Sequence, residues 1–407
     1  MNVPFRIDEL KSGGERINTA GGWLTTLIGR MLTDTDFKIA CAAFGKTNKV
    51  QMSHDYHIDG FIIPKGRWEN NASIMTALSI CRDLVADWKP DLIHIHGTEQ
   101  TYGLLTARGM VTCPAVISLQ GLLEPCSEWY HYFGKHSLRD VVRMHRLLEI
   151  PAMRGQWMGY LQSRRNAKRE REIILGNRFF MGRTKWDHAH IRAHNPSAHY
   201  FHGGELIRDA FWQKRWDLGR ARQYRIIFTN AGHPRKGTEI LLAAVKLLRS
   251  NFPDIQIALA GAISRRSGYG RYMRRKIREL DVAAIELGQL NAEEMAKELA
   301  NSHVFVSPSF IDNSPNAVCE AQLIGMPVIS TYTGGLPSLI EDGRTGLFVP
   351  AGDVPILATR IREIFEDDAL AVRLGNQAHE VAIKRHDPDV IIHGVLAAYE
   401  HILGKAT

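Results

Sequence analysis

Cysteine is scarce in this chain of 407 residues: five, at positions 41, 81, 113, 126 and 319, with no C-x-x-C pair among them. An odd number at wide spacing argues against a disulfide framework or a zinc site and fits a reducing compartment. Long apolar runs are missing too, and none approaches the roughly 18 residues of a membrane span. The opening stretch MNVPFRIDELKSGG has no apolar core of the kind a secretory signal needs. The location these absences imply is cytoplasmic, with any membrane contact peripheral and at the inner face. Short-period repeats and low-complexity tracts are also absent.

What is present reads as a folded protein. Charged residues make up 23% and hydrophobic residues 44%, which argues against an intrinsically disordered chain. Lys plus Arg number 51 against 43 Asp plus Glu, a net charge of +8 that favours anionic partners without choosing among them. At about 150 residues per domain, the length allows two or three domains.

Short apolar runs alternate with helical stretches throughout. Strands are expected at 37–44, 60–64, 91–96 and 114–119, and an amphipathic helix at 72–88. The second half repeats the alternation, with strands at 225–230, 255–261, 283–288, 303–309, 327–331 and 345–350 and helices between them. Strands apolar on both faces and separated by helices predict parallel sheets covered on both sides. Two such sets predict an α/β protein of two doubly wound domains, with a seam in the polar, Arg-rich stretch 209–223. Ligands of open α/β sheets bind at the C-terminal ends of strands, so the expected site lies between the two sheets. The start is unusual: Gly21-Gly22 follows twenty mostly polar residues, so the first strand is weak or absent.

The most informative segment is SPSFIDNSPNAVCEAQLIGMPVIST, residues 307–331. A strand ends at Ser307, and Ser314 is placed to cap a helix whose first residue is Pro315. Glu320 falls on the same helix face as Ala317, Leu323 and Ile324. A carboxylate there must find a partner, either a pair of ribose hydroxyls or a local backbone group or basic side chain. Asp312 lies eight residues before Glu320, beside a helix N-terminus whose free N–H groups (Asn316, Ala317) suit an anion such as a diphosphate. Asp312 and Ser314 can equally be simple caps.

A second segment, AGHPRKGTEILLAAVKLL (231–248), places Gly232 in a turn after a strand and Arg235 and Lys236 at the start of a helix. Two cations at that place suit phosphate, or form an exposed basic turn. That turn, 232–237, is expected to be exposed when no ligand is bound. Gly334-Gly335 adds a turn after another strand that lets backbone approach a ligand closely.

Together these segments resemble family 4 of the retaining, nucleotide-sugar-dependent glycosyltransferases, which have the GT-B fold. The family's E-x7-E motif stands here as DNSPNAVCE (312–320), followed by AQLIGMPVI (321–329). RKG (235–237) and GGLPSLIEDGRTGLFV (334–349) match its remaining elements in order and spacing. The first half is similar more loosely, through 21–32, 90–99 and 116–121. The S-P-N form and the I-H-x-H-G-T-E element are most similar to bacterial enzymes that build surface polysaccharide.

The resemblance implies an acceptor-binding domain over 1–215, a nucleotide-sugar-binding domain over 216–385, and a C-terminal helix, 386–407, returning to the first domain. It implies transfer of a hexosyl group from a nucleoside-diphosphate sugar to a hydroxyl, with retention and without metal or other cofactor. The acceptor would be a saccharide or lipid-linked. Glu320 would bind the ribose, and Lys236 with Arg235 the diphosphate. Asp312 takes the place of the motif's first Glu, one methylene shorter. Gly232, Ser314, Pro315, Asn316, Ala317, Gly334 and Gly335 would line the donor. His96, at the end of a strand and followed by Gly97, is the polar group preferred beside the sugar; the other reading is a structural histidine. Gln120-Gly121 stands where many members carry a histidine. Gly21, Gly22, Gln120 and, if 178–181 is a strand, Arg183 are the expected acceptor or sugar contacts. The rival readings are a non-catalytic nucleotide-sugar-binding subunit and, within the same architecture, a nucleotide-sugar epimerase.

Several patterns are weighed against this frame. Asp34-Thr35-Asp36 precedes a strand instead of following one and reads as a turn. His190 and His194 have metal-ligand spacing, but Ile191 stands where a zinc protease needs Glu. Seven of the fourteen residues from Arg265 to Arg278 are basic, yet no stacking platform or nucleic-acid motif accompanies them, so no nucleic-acid partner is expected. That stretch reads as a solvated helix face, with anionic membrane as the next choice. Arg164, Arg165, Lys168, Arg169 and Arg171, interleaved with Glu170 and Glu172, are expected on a long exposed helix.

Overall fold

The structure is a computed structural model that describes residues 22–55, 58–65, 70–145 and 155–404. Gly21 and the weak first-strand region lie outside them. The chain forms two compact units: Met1–Glu124, Asn166–Leu206 and His386–Thr407 make the first, and Pro125–Arg165 with Ile207–Arg385 the second.

The first unit holds two sheets. In one, β1 (Ile39–Gly45) pairs in parallel with β3 (Ile58–Pro64), and β2 (Gln51–Asp55) pairs antiparallel to β3 at its outer edge. In the other, β4 (Ile93–His96), β5 (Ala115–Ser118), β6 (Phe179–Gly182) and β7 (His199–His202) lie side by side, all parallel. The C-terminal helix Pro388–Ile402 buries Ile391, Val395, Ala398 and Tyr399 in a cluster with Leu27, Ile28 and Met31 of helix Gly22–Asp34. Gly22 therefore opens a helix.

The second unit is built on one six-stranded parallel sheet of β8 (Arg222–Thr229), β9 (Gln256–Ala260), β10 (Ala284–Gly288), β11 (Ser302–Ser307), β12 (Val328–Thr331) and β13 (Leu347–Val349), in the order β10-β9-β8-β11-β12-β13. All six residues of β11 are buried, as a central strand covered on both faces requires. Counted within the unit the order is 3-2-1-4-5-6, so it reverses direction between β8 and β11. That reversal opens a crevice at the strands' C-terminal ends, where ligands of such sheets bind.

The division of the chain differs from the reading 1–215 and 216–385. The break falls between Leu206 and Ile207, and Pro125–Arg165 groups with the second unit. The reason is side-chain packing. Trp129, Tyr132, Phe133 and Tyr160 form one cluster. Tyr132 also meets His233 edge-on at 4.8 Å, and His136 Nε2 lies 2.8 Å from Glu239 Oε1. Another difference is in helix Gln156–Gly176. Its Arg-rich stretch is not wholly an exposed face, because Glu170 is fully buried.

Candidate functional site

The reversal between β8 and β11 is occupied by a pocket of about 280 Å3. Its walls are Thr229 and Asn230 at the end of β8, Ser307 and Ser309 after β11, Lys236, Asp312, and Ser314–Ala317 at the start of helix Asn316–Ile324. Three chain segments converge here, and each is held by the others.

The first carries the cations. Pro234–Lys236 form a single 3-10 turn, and His233 Nδ1 accepts from the Arg235 N–H at 3.1 Å. Gly237 ends the turn at φ 71°, and a Cβ there would sit 2.1 Å from the Pro308 carbonyl oxygen, so only glycine fits. The second segment, the loop after β11, is tied down along its length. Phe310 N–H donates to Arg235 O at 2.8 Å. Ser330, Thr331 and Thr333 donate their hydroxyls to the carbonyls of Ser307, Ser309 and Phe310 at 3.2, 2.5 and 3.0 Å. The third is the glycine turn. Gly335 N–H donates to Asp312 O at 2.9 Å, and a Cβ on Gly334 would meet that same oxygen at 2.0 Å.

Lys236 Nζ pairs with Asp312 Oδ2 at 2.5 Å, and only 15% of the lysine side chain is exposed. The cationic turn is therefore half-buried rather than open, because the Asp312 loop covers it. Helix Asn316–Ile324 begins one residue later than expected. Pro315 is its N-cap residue, with no capping side chain, so Ser314 lines the pocket without serving as the cap. The helix's first N–H groups thus remain an anion-binding element beside Lys236.

Glu320, one turn along the same helix, is 5% exposed and does not line the pocket. Its Oε1 accepts from Arg208 Nη2 at 2.7 Å. Burial raises the Glu320 carboxyl above its ordinary value, and Arg208 offsets part of that rise. Of the two partners open to Glu320 from its sequence position, the structure supplies the basic side chain. Arg208 escaped notice in the sequence because it lies 112 residues away. Gln322 holds the far side of the helix: its Nε2 donates to Leu339 O at 3.0 Å, and Arg385 Nη2 donates to its Oε1 at 2.5 Å.

In the first unit, β6 is a strand, and Arg183 follows directly after its last residue. A capping box between Thr184 and Asp187 starts the next helix, and the buried Asp187 also accepts from Arg183 N–H at 3.1 Å. The Arg183 guanidinium donates to Glu205 Oε2 at 2.6 Å and to Gln120 Oε1 at 3.4 Å. Arg183 also lines a small cavity of about 30 Å3, room for about one water, with His94, His96 and Ser118. His96 is 9% exposed and stacks on His94 with ring centroids 3.9 Å apart. His94 is fixed at both nitrogens, by Tyr399 Oη at 2.5 Å and Ser118 Oγ at 2.6 Å. Burial pulls His94 down to about 3 and His96 well below the imidazole range, so both rings are neutral. His96, Gln120 and Arg183 are thus brought into one polar neighbourhood. Glu205 joins them and had no sequence signal.

The loops carrying His96 and Gln120 are joined underneath by Glu170. It accepts from Thr98 Oγ1 at 2.5 Å and from the N–H groups of Leu123 and Glu124 at 2.7 and 2.8 Å. Burial raises this carboxyl to about 7, against the pull of those hydrogen bonds.

Residues 223–367, which contain every element of the switch-point pocket, match the family described as Glycosyl transferases group 1. A D-inositol 3-phosphate glycosyltransferase of Pseudarthrobacter chlorophenolicus is 32% identical over 158 residues, which take in 38% of this chain and 37% of that protein. A phosphatidyl-myo-inositol mannosyltransferase of Mycolicibacterium smegmatis is 28% identical over 172 residues, 42% of this chain and 43% of that protein. The chain thus matches well under half the length of these relatives. Among solved structures, the sucrose-phosphate synthase of Thermosynechococcus elongatus superposes with a TM-score of 0.71 at 18% identity, covering 94% of this chain and 93% of that one. Anabaena HepE in complex with UDP-glucose gives 0.62 at 16% identity, covering 85% and 86%. At these identities the superpositions establish the fold, which is GT-B. The motifs that carry the resemblance to family 4, at 235–237 and 312–349, lie inside the segment that matches the group 1 glycosyl transferases.

Proposed function

We propose that the chain is a retaining glycosyltransferase that moves a hexosyl group from a nucleoside-diphosphate sugar to a hydroxyl of a saccharide or lipid-linked acceptor, in bacterial polysaccharide or glycoconjugate synthesis. The observation that carries this reading is the pairing of Lys236 and Asp312 at the N-terminus of helix Asn316–Ile324, in the crevice where the strand order reverses. A diphosphate placed there meets the Lys236 ammonium and the free N–H groups of the helix start, with Arg235 one residue away in the chain but outside the pocket lining. As the sugar–oxygen bond breaks, negative charge grows on the departing diphosphate. Groups already in position stabilise that charge without reorganising. Lys236 exchanges part of its contact with Asp312 for the phosphate, which leaves the Asp312 carboxylate to accept from a sugar hydroxyl. Glu320, which does not line the pocket, would receive the ribose by giving up part of its contact with Arg208. In the first unit, neutral His96 together with Gln120 and Arg183 supplies hydrogen bonds to the sugar or acceptor. No protein nucleophile is needed if the departing phosphate helps to deprotonate the acceptor, and turnover is expected to survive chelation.

Incubation with a panel of nucleotide sugars tests this reading. Slow release of nucleoside diphosphate from one donor, abolished in a folded Lys236→Ala, Arg235→Ala protein, is the expected result. Tight donor binding with neither hydrolysis nor transfer would instead identify a non-catalytic binding subunit. Glu320→Ala is expected to weaken nucleoside-diphosphate binding by about 1–3 kcal/mol, the range for lost hydrogen bonds to a charged group. Unchanged affinity in the folded variant would remove the ribose assignment.

A further inference from the structure

Away from the switch-point pocket, the second unit carries a larger open groove of about 640 Å3. Arg143 lines it from helix Leu138–Arg143, and Arg265, Arg271, Arg274, Arg275 and Arg278 line it in and just before helix Gly268–Leu280. None of the residues around the diphosphate pocket takes part.

These six arginines are not alike. Arg274 is locked: its guanidinium donates to both Glu286 carboxylate oxygens at 2.7 and 2.6 Å and to Ile263 O at 2.7 Å. Arg275 pairs with Glu279 at 3.2 Å and lies over the Tyr272 ring, 5.7 Å from its centroid. Arg143, Arg265, Arg271 and Arg278 form no salt bridge within 4.0 Å among the described residues, and all four are exposed. A solvated helix face explains cations that point apart. It does not explain guanidiniums from two chain segments around one concave space, where Glu286, Glu279 and Asp140 offset only part of their mutual repulsion. Guanidinium forks match phosphate oxygens two at a time, and the buried Tyr272 ring gives the groove an uncharged side.

We propose that this groove is a second anion site that binds a phosphate ester carrying at least two negative charges. Such chemistry belongs to a soluble phosphorylated saccharide or to a phospholipid headgroup that bears a phosphomonoester. Val142 and Ile285, the chain neighbours of Arg143 and Glu286, are exposed apolar side chains that would meet a lipid surface. Whichever the source, the groove would hold the phosphate-bearing partner independently of the sugar nucleotide.

The test uses tripolyphosphate as the probe, titrated calorimetrically into a parent protein, the full chain carrying Lys236→Ala and Arg235→Ala, which removes the cations of the switch-point pocket, and into a variant of it with Arg271→Gln and Arg278→Gln added and a matching melting temperature. The expected result is an affinity at least about tenfold weaker in the variant, since two charge-assisted contacts are lost. In parallel, both proteins are sedimented with phosphatidylcholine vesicles with and without phosphatidic acid, whose phosphomonoester can carry two charges. Anionic-vesicle binding that is absent in the variant and displaced by tripolyphosphate assigns the ligand to a lipid headgroup. Tripolyphosphate binding without vesicle binding assigns it to a soluble ester. Equal tripolyphosphate affinity in the two proteins, or none in the parent, overturns the proposal.

Discussion

With Asp312 at 2.5 Å and little of its side chain exposed, Lys236 is positioned before any donor arrives. A partly exposed ion pair contributes modestly to stability, about 1 kcal/mol or less. Its contact with a leaving diphosphate strengthens in the transition state, where loss of such a group commonly costs about 2.7–4 kcal/mol of barrier. Lys236→Ala should therefore lower transfer by roughly 100- to 1,000-fold at saturating donor while barely shifting the melting temperature. Adding Arg235→Ala should deepen the loss. Near-normal transfer by the folded double variant would take both cations out of the mechanism. Glu170 works differently, because it touches only the undersides of two loops. Its carboxyl is raised to about 7 from an ordinary 4.5, so the folded protein holds its proton more tightly than the unfolded chain does. The resulting stabilisation is complete below the unfolded value and is lost as pH rises through about 7. Glu170→Gln imitates the protonated form, its amide turned to Thr98 and its oxygen to the two N–H groups. Denaturant unfolding between about pH 4.5 and 7 should show a flatter pH dependence in that variant than in the parent. Parallel curves would mean that Glu170 does not titrate in this range.

At the scale of elements, the pocket depends on turns whose backbones interlock. Gly334 has φ 54° and no room for a Cβ against Asp312 O, so Gly334→Ala should displace the loop that presents Asp312. A loss of about 2 kcal/mol of stability or more is expected from strain at such a position, with weakened nucleotide binding. Retained affinity would show that the glycine turn does not hold that loop in place. The sequence already disclosed this part of the molecule well. β8, β9, β11 and β12 each carry an apolar stretch (IIF, IALA, VFV and VI) because both faces of their sheet are covered there, and the helix after β11 is punctuated by Pro315 and Gly325. Edge strands were harder. β2 is QMSHD and β7 is HYFH, and with one side unpaired neither needs a continuous apolar run. Long-range partners left no trace either. Arg208 finds Glu320, and Glu170 finds Thr98 and the start of the 123–126 turn, only once the chain has folded. An Arg-rich stretch looked wholly solvated because the pattern of charge along it does not reveal that one carboxylate turns inward.

At the scale of the whole molecule, the C-terminal helix Pro388–Ile402 belongs to the core of the first unit, with Tyr399 bonded to His94 on β4. Ending the chain after Arg385 should unfold or loosen the first unit, exposing Ile391's partners and freeing the His94 ring, and leave the six-stranded sheet of the second intact. Hydrogen exchange resolved by segment checks this: protection should fall in β4 and β5 and persist in β8 and β11. Equal protection in both would mean that the first unit closes without this helix. The same connectivity has a consequence for biosynthesis. The ribosome delivers most of the first unit ahead of residues 207–385, yet the helix that completes its core follows all of them. Material that emerges first must wait, part-covered, while a whole second sheet is made and folded. Slow translation through 207–385, or a stall there, would lengthen that wait, and a chaperone that shields apolar surface would have its longest engagement with the part of the first unit that precedes them.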